Sequence, residues 1–512
     1  MNEPSVAVAP APSVRIDDID PPWPARPAIM AGVCALAGVI FHNLVERDNA
    51  EALAAFVAVA TIAFVLTAEQ RRLHWAMLFA AGWGAVIALI VENNRGYSVN
   101  GSPFEWPFWS GLLAVAVASP LFQGWRDEAV SARDWRLTRL NYARLHRHGW
   151  TDAVIGAAAG AFVGIAFALA FLIAGLFDLI GIRAISELLR EGWFAWGLAG
   201  AAFGGAVGLL RERDRLVGNL QRLVTVVLSV LAPVLAVALA LFLVSLLGTG
   251  FMMLGASAFA VLLANAVIGN GVEDRATNPL LRWAAPVLAA IVLPLAAIAF
   301  YAMHLRVLQY GWTPERLWGF VAVVIALAYG LAGLWAVVRG RRDFDDELRP
   351  LQLKLAIGLM LLATFLALPI MDFGAISTRD QLARLESGQV KPEKFDWAAM
   401  AFDFGPEGRE ALKRLARSAN KDFADPAQVA LASDDRWALG YGNEQAPQVM
   451  RPIEKLVRVL PADRPPPTAE DFRGLVAEPD LDFVVLPRDF GGSVATNGRV
   501  WVYDCRKLRA AK

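Results

Sequence analysis

The chain has 512 residues, 56% hydrophobic and 19% charged, against about 45–50% and about 25% for a soluble globular protein. The apolar excess falls in runs of roughly 17–25 uncharged residues, the length of a bilayer's hydrocarbon core, which excludes a soluble enzyme for the first three quarters of the chain. With 48 basic and 48 acidic residues the net charge is zero, which points to no nucleic-acid partner, and two cysteines cannot build a disulfide framework.

Residues 1–27 hold seven prolines together with Glu3, Asp17, Asp18 and Asp20. A secretory signal needs a basic start and a short apolar core. This segment has neither and reads as a disordered tail, so the first apolar run is a retained span. Eleven spans follow, at 28–45, 52–68, 75–91, 106–122, 154–182, 194–210, 223–247, 251–268, 284–305, 317–338 and 355–371. The eighth carries Asn265 and follows the seventh closely, so a helix with a re-entrant turn is the other reading of that pair. The spans are rich in Ala, Leu, Val and Gly, which suits closely approaching membrane helices. No internal repeat supports an inverted-repeat transporter.

Arg and Lys in short loops set orientation. With the amino terminus in the cytoplasm, the inside segments hold 21 basic residues and the outside loops hold 6. Eleven crossings then place residues 372–512 outside. The expected fold class is an all-α polytopic bundle of about 11 transmembrane helices with a small α+β extracytoplasmic C-terminal domain.

The tail is a soluble mixture of 21 basic and 22 acidic residues. Ser377 with Asp380 resembles a capping box for a helix ending at Gly388. Pro406 can open a second helix with Leu412, Leu415 and Ala416 on one face. Prolines 465–467 mark a turn or linker. The β-rich runs 481–486 and 499–503 form a hairpin with a long loop holding Gly491, Gly492 and Gly498. No nucleophile elbow, phosphate loop or zinc spacing occurs in the tail, and Cys505 has no plausible bond to Cys34 in the first span.

Several local patterns resemble a known family. Residues 310–316 read Tyr-Gly-Trp-Thr-Pro-Glu-Arg after the ninth span, and 177–182 read Phe-Asp-Leu-Ile-Gly-Ile at the end of the fifth. Ile376 and Ser377 with Gln381, Arg384, Leu385 and Gly388 follow the last span, and Phe395-Asp396 comes after them. Over about residues 30–420 the chain resembles a bacterial multi-pass inner-membrane family, domain of unknown function 4153. The resemblance implies a bacterial cytoplasmic membrane. It supplies no activity, no cofactor and no catalytic residue to carry over.

Polar residues cluster at the outer ends of the spans. These are His42 and Glu46; Asp178 and Arg183; His304, Arg306 and Tyr310; Glu315 and Arg316; and Asp372. They form a candidate polar pocket opening outward, against which stands plain interfacial anchoring and helix capping. A metal set from His42, His304 and Asp178 has no motif behind it. Thr313, Pro314 and Glu315 also suit the start of the tenth helix. Asn265 is the candidate intramembrane polar residue, and an interhelical hydrogen bond answers its need for a partner. In the basic loop 123–153, Arg133, Arg136, Arg139, Arg144 and Arg147 recur at helical spacing beside Trp125, Trp135 and Trp150. That loop is expected to lie on anionic lipid, to set topology, or to dock a cytoplasmic protein partner.

Three functions remain open. A non-ATPase transporter or permease is favoured by span number, by Pro233 and Pro294 within spans, and by the outer polar residues. An envelope sensor or scaffold would couple the external tail to a cytoplasmic partner. An envelope enzyme acting on lipid-linked substrates would use acids of the first outer loop, Glu46 and Asp48, but that loop is only about six residues.

Overall fold

A computed structural model describes residues 22–70, 72–95, 102–128, 140–245, 250–269 and 278–433, two isolated residues after them, and five strands between 457 and 510. The chain divides into two compact units, residues 1–383 with 402–409 and residues 384–401 with 410–512.

The first unit is a helical bundle. Its helices are α1 (Arg26–Val45), α2 (Glu51–Thr67), α3 (Leu73–Asn93), α4 (Trp106–Glu128), α5 (Tyr142–Leu179), α6 (Ala184–Arg190), α7 (Gly192–Arg211), α8 (Asp214–Ser245), α9 (Gly250–Ile268), α10 (Pro279–Tyr310), α11 (Pro314–Gly340) and α12 (Phe344–Ala367). Each predicted apolar run falls mainly on one of these helices, with 154–182 and 355–371 continuing past the helix ends at Leu179 and Ala367, and short α6 is additional. Helices α5, α8 and α12 begin well before their apolar runs. An apolar run marks the part of a helix that suits lipid, whereas the helix itself starts where its first turn is capped. For α5 that cap is the Asn141 side chain, which accepts from the Ala143 amide at 3.0 Å.

Among the described residues, eight helices are long and apolar enough to cross a membrane: α1, α3, α5, α7, α8, α10, α11 and α12; α2 and α9 are shorter apolar helices. Their outer faces carry large exposed side chains, such as Leu169, Phe171 and Leu176 on α5 and Val230, Val234 and Leu241 on α8. Apolar surface on this scale is not stable in water, so the bundle is that of an integral membrane protein.

Packing defines two groups of helices. In the first, α1 runs along α7, α2 pairs with α3, and α5 lies against α7. Its core joins Met30 and Cys34 of α1 to Ile155 of α5 and Val207 of α7. The approach of α1 to α7 depends on small residues. A Cβ placed on Gly200 would come within 2.0 Å of the Cys34 carbonyl oxygen, and one on Gly204 within 2.2 Å of the Met30 carbonyl oxygen. In the second group, α10 lies between α9 and α11 and buries Leu288, Val292 and Leu295 in a core shared with Leu263 of α9 and Leu348 of α12. Helix α4 packs along α12 and joins the two groups.

Helix α13 (Phe373–Glu386) follows α12. It begins a turn before the predicted capping box. Asp372 Oδ1 accepts from the Ala375 amide at 2.9 Å, so Asp372 is the cap, and Ser377 is fully buried inside the helix. Nothing in residues 373–376 interrupts a helix, so the earlier acid takes the role. The predicted stop holds, with Gly388 at φ +75°. Helix α14 (Trp397–Phe402) precedes α15 (Gly405–Leu415), which buries Ala411, Leu412 and Leu415.

The second unit contains α16 (Lys421–Ala432), capped by the Asn420 side chain. It also contains strands β1 (Val457–Val459), β2 (Phe483–Val485), β3 (Ser493–Thr496), β4 (Arg499–Asp504) and β5 (Lys507–Ala510), paired in that order. The runs predicted to form one hairpin are β2 and β4, and they do not pair with each other. Strand β3 lies between them and pairs antiparallel with both. Ser493 to Thr496 reads Ser-Val-Ala-Thr, four residues without alternation and flanked by Gly491, Gly492 and Gly498, so no period-2 pattern marks it as a strand.

Candidate functional site

The densest chemistry in the described bundle lies at the end where α1 begins. Helix α2 ends there, and its last carbonyls have no partner within the helix. Three arginines from three other helices take them. Arg211, at the end of α7, donates to the Leu66 oxygen, and Arg126, on the last turn of α4, donates to the Thr67 oxygen. Arg26, the first residue of α1, donates to the Ala68 oxygen at 3.3 Å. Cations are favoured at a helix C-terminus, where the dipole leaves partial negative charge.

Each arginine also meets carboxylates. Arg26 Nη1 lies 3.1 Å from Glu212, which accepts from the Trp23 amide as well. Arg126 pairs with Glu69, and its Nη2 lies 3.2 Å from Asp127. Arg211 Nη2 donates to Asp152 at 2.6 Å and to the Gln123 Oε1 at 3.2 Å, while the Gln123 amide donates back to Asp152. His148 Nε2 lies 2.8 Å from Asp127 Oδ2. Arg72 donates to the Arg126 carbonyl, at the end of α4.

This network is sealed. Arg126 is 1% exposed, Gln123 0% and Arg26 7%. Beyond the 106–122 apolar stretch, burial raises the Asp127 carboxyl pKa. The His148 hydrogen bond and the Arg126 charge outweigh burial and hold it below the usual carboxylate value. Burying charges is costly unless each is paired and hydrogen-bonded, and here the carboxylates face guanidinium donors at short range.

The second helix group has a smaller version of this arrangement. Arg349 of α12 donates to the Ile268 carbonyl, at the end of α9, at 3.0 Å, to Asp345 at 2.7 Å and to Asp346 at 2.8 Å. Beside it, the Tyr142 hydroxyl of α5 donates to Asn265 Oδ1 of α9 at 3.4 Å. Asn265 therefore has the interhelical partner that its amide needs.

The outer-face candidates fall into separate local sets. His42 Nε2 lies 3.3 Å from Glu46 one turn on, and its ring fills the space over Gly192. Asp178 accepts from the Ser186 hydroxyl at 2.8 Å, and Arg183 precedes α6 as its N-cap residue. His304 stacks on Phe300. Arg306 is exposed near the end of α10, Glu315 lies in the first turn of α11, and Asp372 caps α13. The 310–316 element is a knot of its own. The Thr313 hydroxyl accepts from the Arg316 amide, and the Arg316 guanidinium donates to the Tyr310 oxygen at 3.1 Å and the Gly311 oxygen at 2.8 Å. Arg316 also lies over the Tyr310 ring. From α13, Asp380 accepts from the Trp312 amide at 2.7 Å, and Gln381 donates to the Tyr310 and Trp312 oxygens. Tyr310 and Arg316 are thus together, held by two α13 residues that the sequence marks for other reasons, Gln381 for the family resemblance and Asp380 for the capping box.

Of the basic loop, Arg133, Arg136 and Arg139 lie outside the described residues, as does Trp135. Arg144 and Arg147 are on α5. Trp125 packs edge-on against Trp75, and the Trp150 indole donates to His146. Among the described residues, no group of three or more His, Cys, Asp and Glu side chains converges as a metal site.

The network escapes sequence reading because its members lie in four stretches far apart in the chain, 23–26, 66–72, 123–152 and 211–212. The sequence does carry a signal: Glu69, Asp127, Asp152 and Glu212 lie within the arginine-rich segments 69–74, 123–153 and 211–222. A purely topological role for those arginines requires no acids.

Residues 27–415 match the family described as Domain of unknown function (DUF4153), and the chain belongs to that family. No curated protein and no solved structure matches the chain.

Proposed function

We propose that the chain crosses a bacterial cytoplasmic membrane eleven times, amino terminus inside and residues 372–512 outside as a small α+β domain, and that it works as a non-ATPase permease. In this reading the α2-end network is the closed inner gate, and the outer polar residues line the approach from the other side. Alternating crossings bring the start of α1, the end of α2, the end of α4, the start of α5 and the end of α7 to one face, in keeping with their convergence in the network; the basic residues alone assign that face to the cytoplasm. The single observation that carries the gate is the convergence of Arg26, Arg126 and Arg211 on three successive carbonyls of α2, neutralised by four carboxylates. Such a junction holds by charge and hydrogen bonding, so it can part and re-form as discrete pairs.

Cys34 supplies the test. It is buried eight residues into α1 from Arg26, about 12 Å along the axis. In a Cys505→Ser background it is the sole thiol. An aqueous thiol reagent applied from the amino-terminal side is expected to leave it unlabelled in the wild type and to label it in Asp152→Asn/Arg211→Gln. If the double variant folds and Cys34 stays protected, the network is a static lock, and the sensor or scaffold reading takes precedence.

A further inference from the structure

An apolar groove of about 390 Å³ opens where the two helix groups meet, between α4 on one side and α11 and α12 on the other. It lies at the opposite end of the bundle from the ionic network. On α4 its lining runs from Trp106 to Leu113, on α11 from Trp318 to Ile325, and on α12 from Leu359 to Leu366. Each stretch advances seven residues, about 10 Å at 1.5 Å per residue. Its volume is in the range of ligand pockets, about 300–1,000 Å³.

The depth argues for one kind of occupant. A partner helix or a second copy of the bundle would press along most of the hydrocarbon core, about 30 Å. This groove reaches only about a third of that distance and stays within one leaflet. At its mouth Trp106 and Trp318 lie 6.2 Å apart, and Phe373 packs edge-on against Trp318. Tryptophans at a helix end mark the level of lipid headgroups. The floor offers no competing chemistry, because the Ser110 hydroxyl is spent on the Ala363 carbonyl at 2.9 Å, tying α4 to α12. Trp109 and Leu113 remain exposed along the side open to lipid.

We propose that this groove is a binding site for one acyl chain of a membrane phospholipid, drawn from the leaflet on the Tyr310–Arg316 side. The chain lies between the two helix groups with its headgroup at the Trp106–Trp318 rim. The proposal rests on the membrane reading but on neither the permease role nor the orientation.

The test reconstitutes the full chain in vesicles of phosphatidylethanolamine and phosphatidylglycerol. A small fraction of the phosphatidylethanolamine carries a mid-chain diazirine. After photolysis, peptides bearing the lipid are mapped. Label is expected on 106–113, 318–325 and 359–366 at several times the level on the lipid-facing stretch 230–237 of α8. Ala322→Trp should reduce groove label several-fold and leave the α8 label unchanged. Leu113→Trp fills the same space from an exposed position and serves if Ala322→Trp does not fold. Equal label on groove and α8 peptides, or groove label indifferent to both fillings in folded protein, overturns the site. No label anywhere on the bundle overturns the membrane reading with it.

Discussion

Arg126 shows how much a single side chain can hold at the α2 end. It reaches the Thr67 carbonyl, Glu69 and Asp127 while almost wholly buried. Arg126→Ala would remove the guanidinium that Glu69 and Asp127 share and leave Asp127 its His148 contact, and breaking a buried pair in this way costs about 3–5 kcal/mol. Thermal unfolding in detergent should report a loss of that size, and Arg126→Lys should recover little, because an ammonium cannot serve these acceptors as a planar fork does. Asp127 adds a pH dependence. Its folded pKa is held below the unfolded carboxylate value, so its contribution is fully present above the unfolded pKa and is lost as pH falls through the folded one. The midpoint of unfolding should therefore drop below about pH 4, and Asp127→Asn should flatten that limb. At the other end, Thr313→Ala should cost about 1 kcal/mol through the lost cap of α11. Arg316→Ala should cost roughly as much, since its guanidinium holds two carbonyls of the preceding turn. A negligible effect of Arg316→Ala on stability together with loss of biological function would favour the outward pocket over this local knot.

At the scale of elements, one device recurs. Helix C-terminal carbonyls left over by α2, α4, α9 and α10 are taken by arginine, from Arg26, Arg126 and Arg211, then Arg72, Arg349 and Arg316. Helix ends that fall near a bilayer surface cannot rely fully on water, and a guanidinium satisfies a carbonyl while complementing the dipole. The second device is close approach. Gly200 and Gly204 are one turn apart on α7, and each faces a carbonyl of α1 at a distance that admits no side chain. Gly204→Leu should push α1 from α7. The expected loss is about 1–3 kcal/mol or misfolding, read as a lower midpoint and earlier proteolysis of the α1–α2 region. Gly156, on α5, has open space where a Cβ would go, so Gly156→Leu is the matched control and should change little.

For the whole molecule, topology is the decisive property. Fusions of a compartment reporter after Gly340, at the end of α11, should read cytoplasmic, and fusions after Lys421 should read external. A cytoplasmic signal after Lys421 would break the eleven-crossing reading. The two helix groups, joined along α4 and α12, give the permease reading its architecture, since relative movement of such groups would open one end and close the other. The acyl-chain groove lies on that same seam, so a lipid seated there would bear on the movement.

By itself the sequence determined the membrane class, the placing of the apolar helices, the cap at Thr313 and the stop at Gly388. These properties are local: lipid-length apolar runs, a hydroxyl before a proline, and a glycine that tolerates φ +75°. It misplaced the start of α13, because Asp372 and Ser377 both suit a cap and only packing buries Ser377. It also read the polar residues by proximity to span ends and so looked to the outer face. The ionic network could not be read that way. Arg26, Glu69, Arg126, His148, Asp152 and Arg211 are separated by up to 185 residues, and each is unremarkable alone. Only the tertiary structure brings them to the end of α2, because it decides which helices are neighbours, and a buried charge is tolerated only where a neighbour answers it.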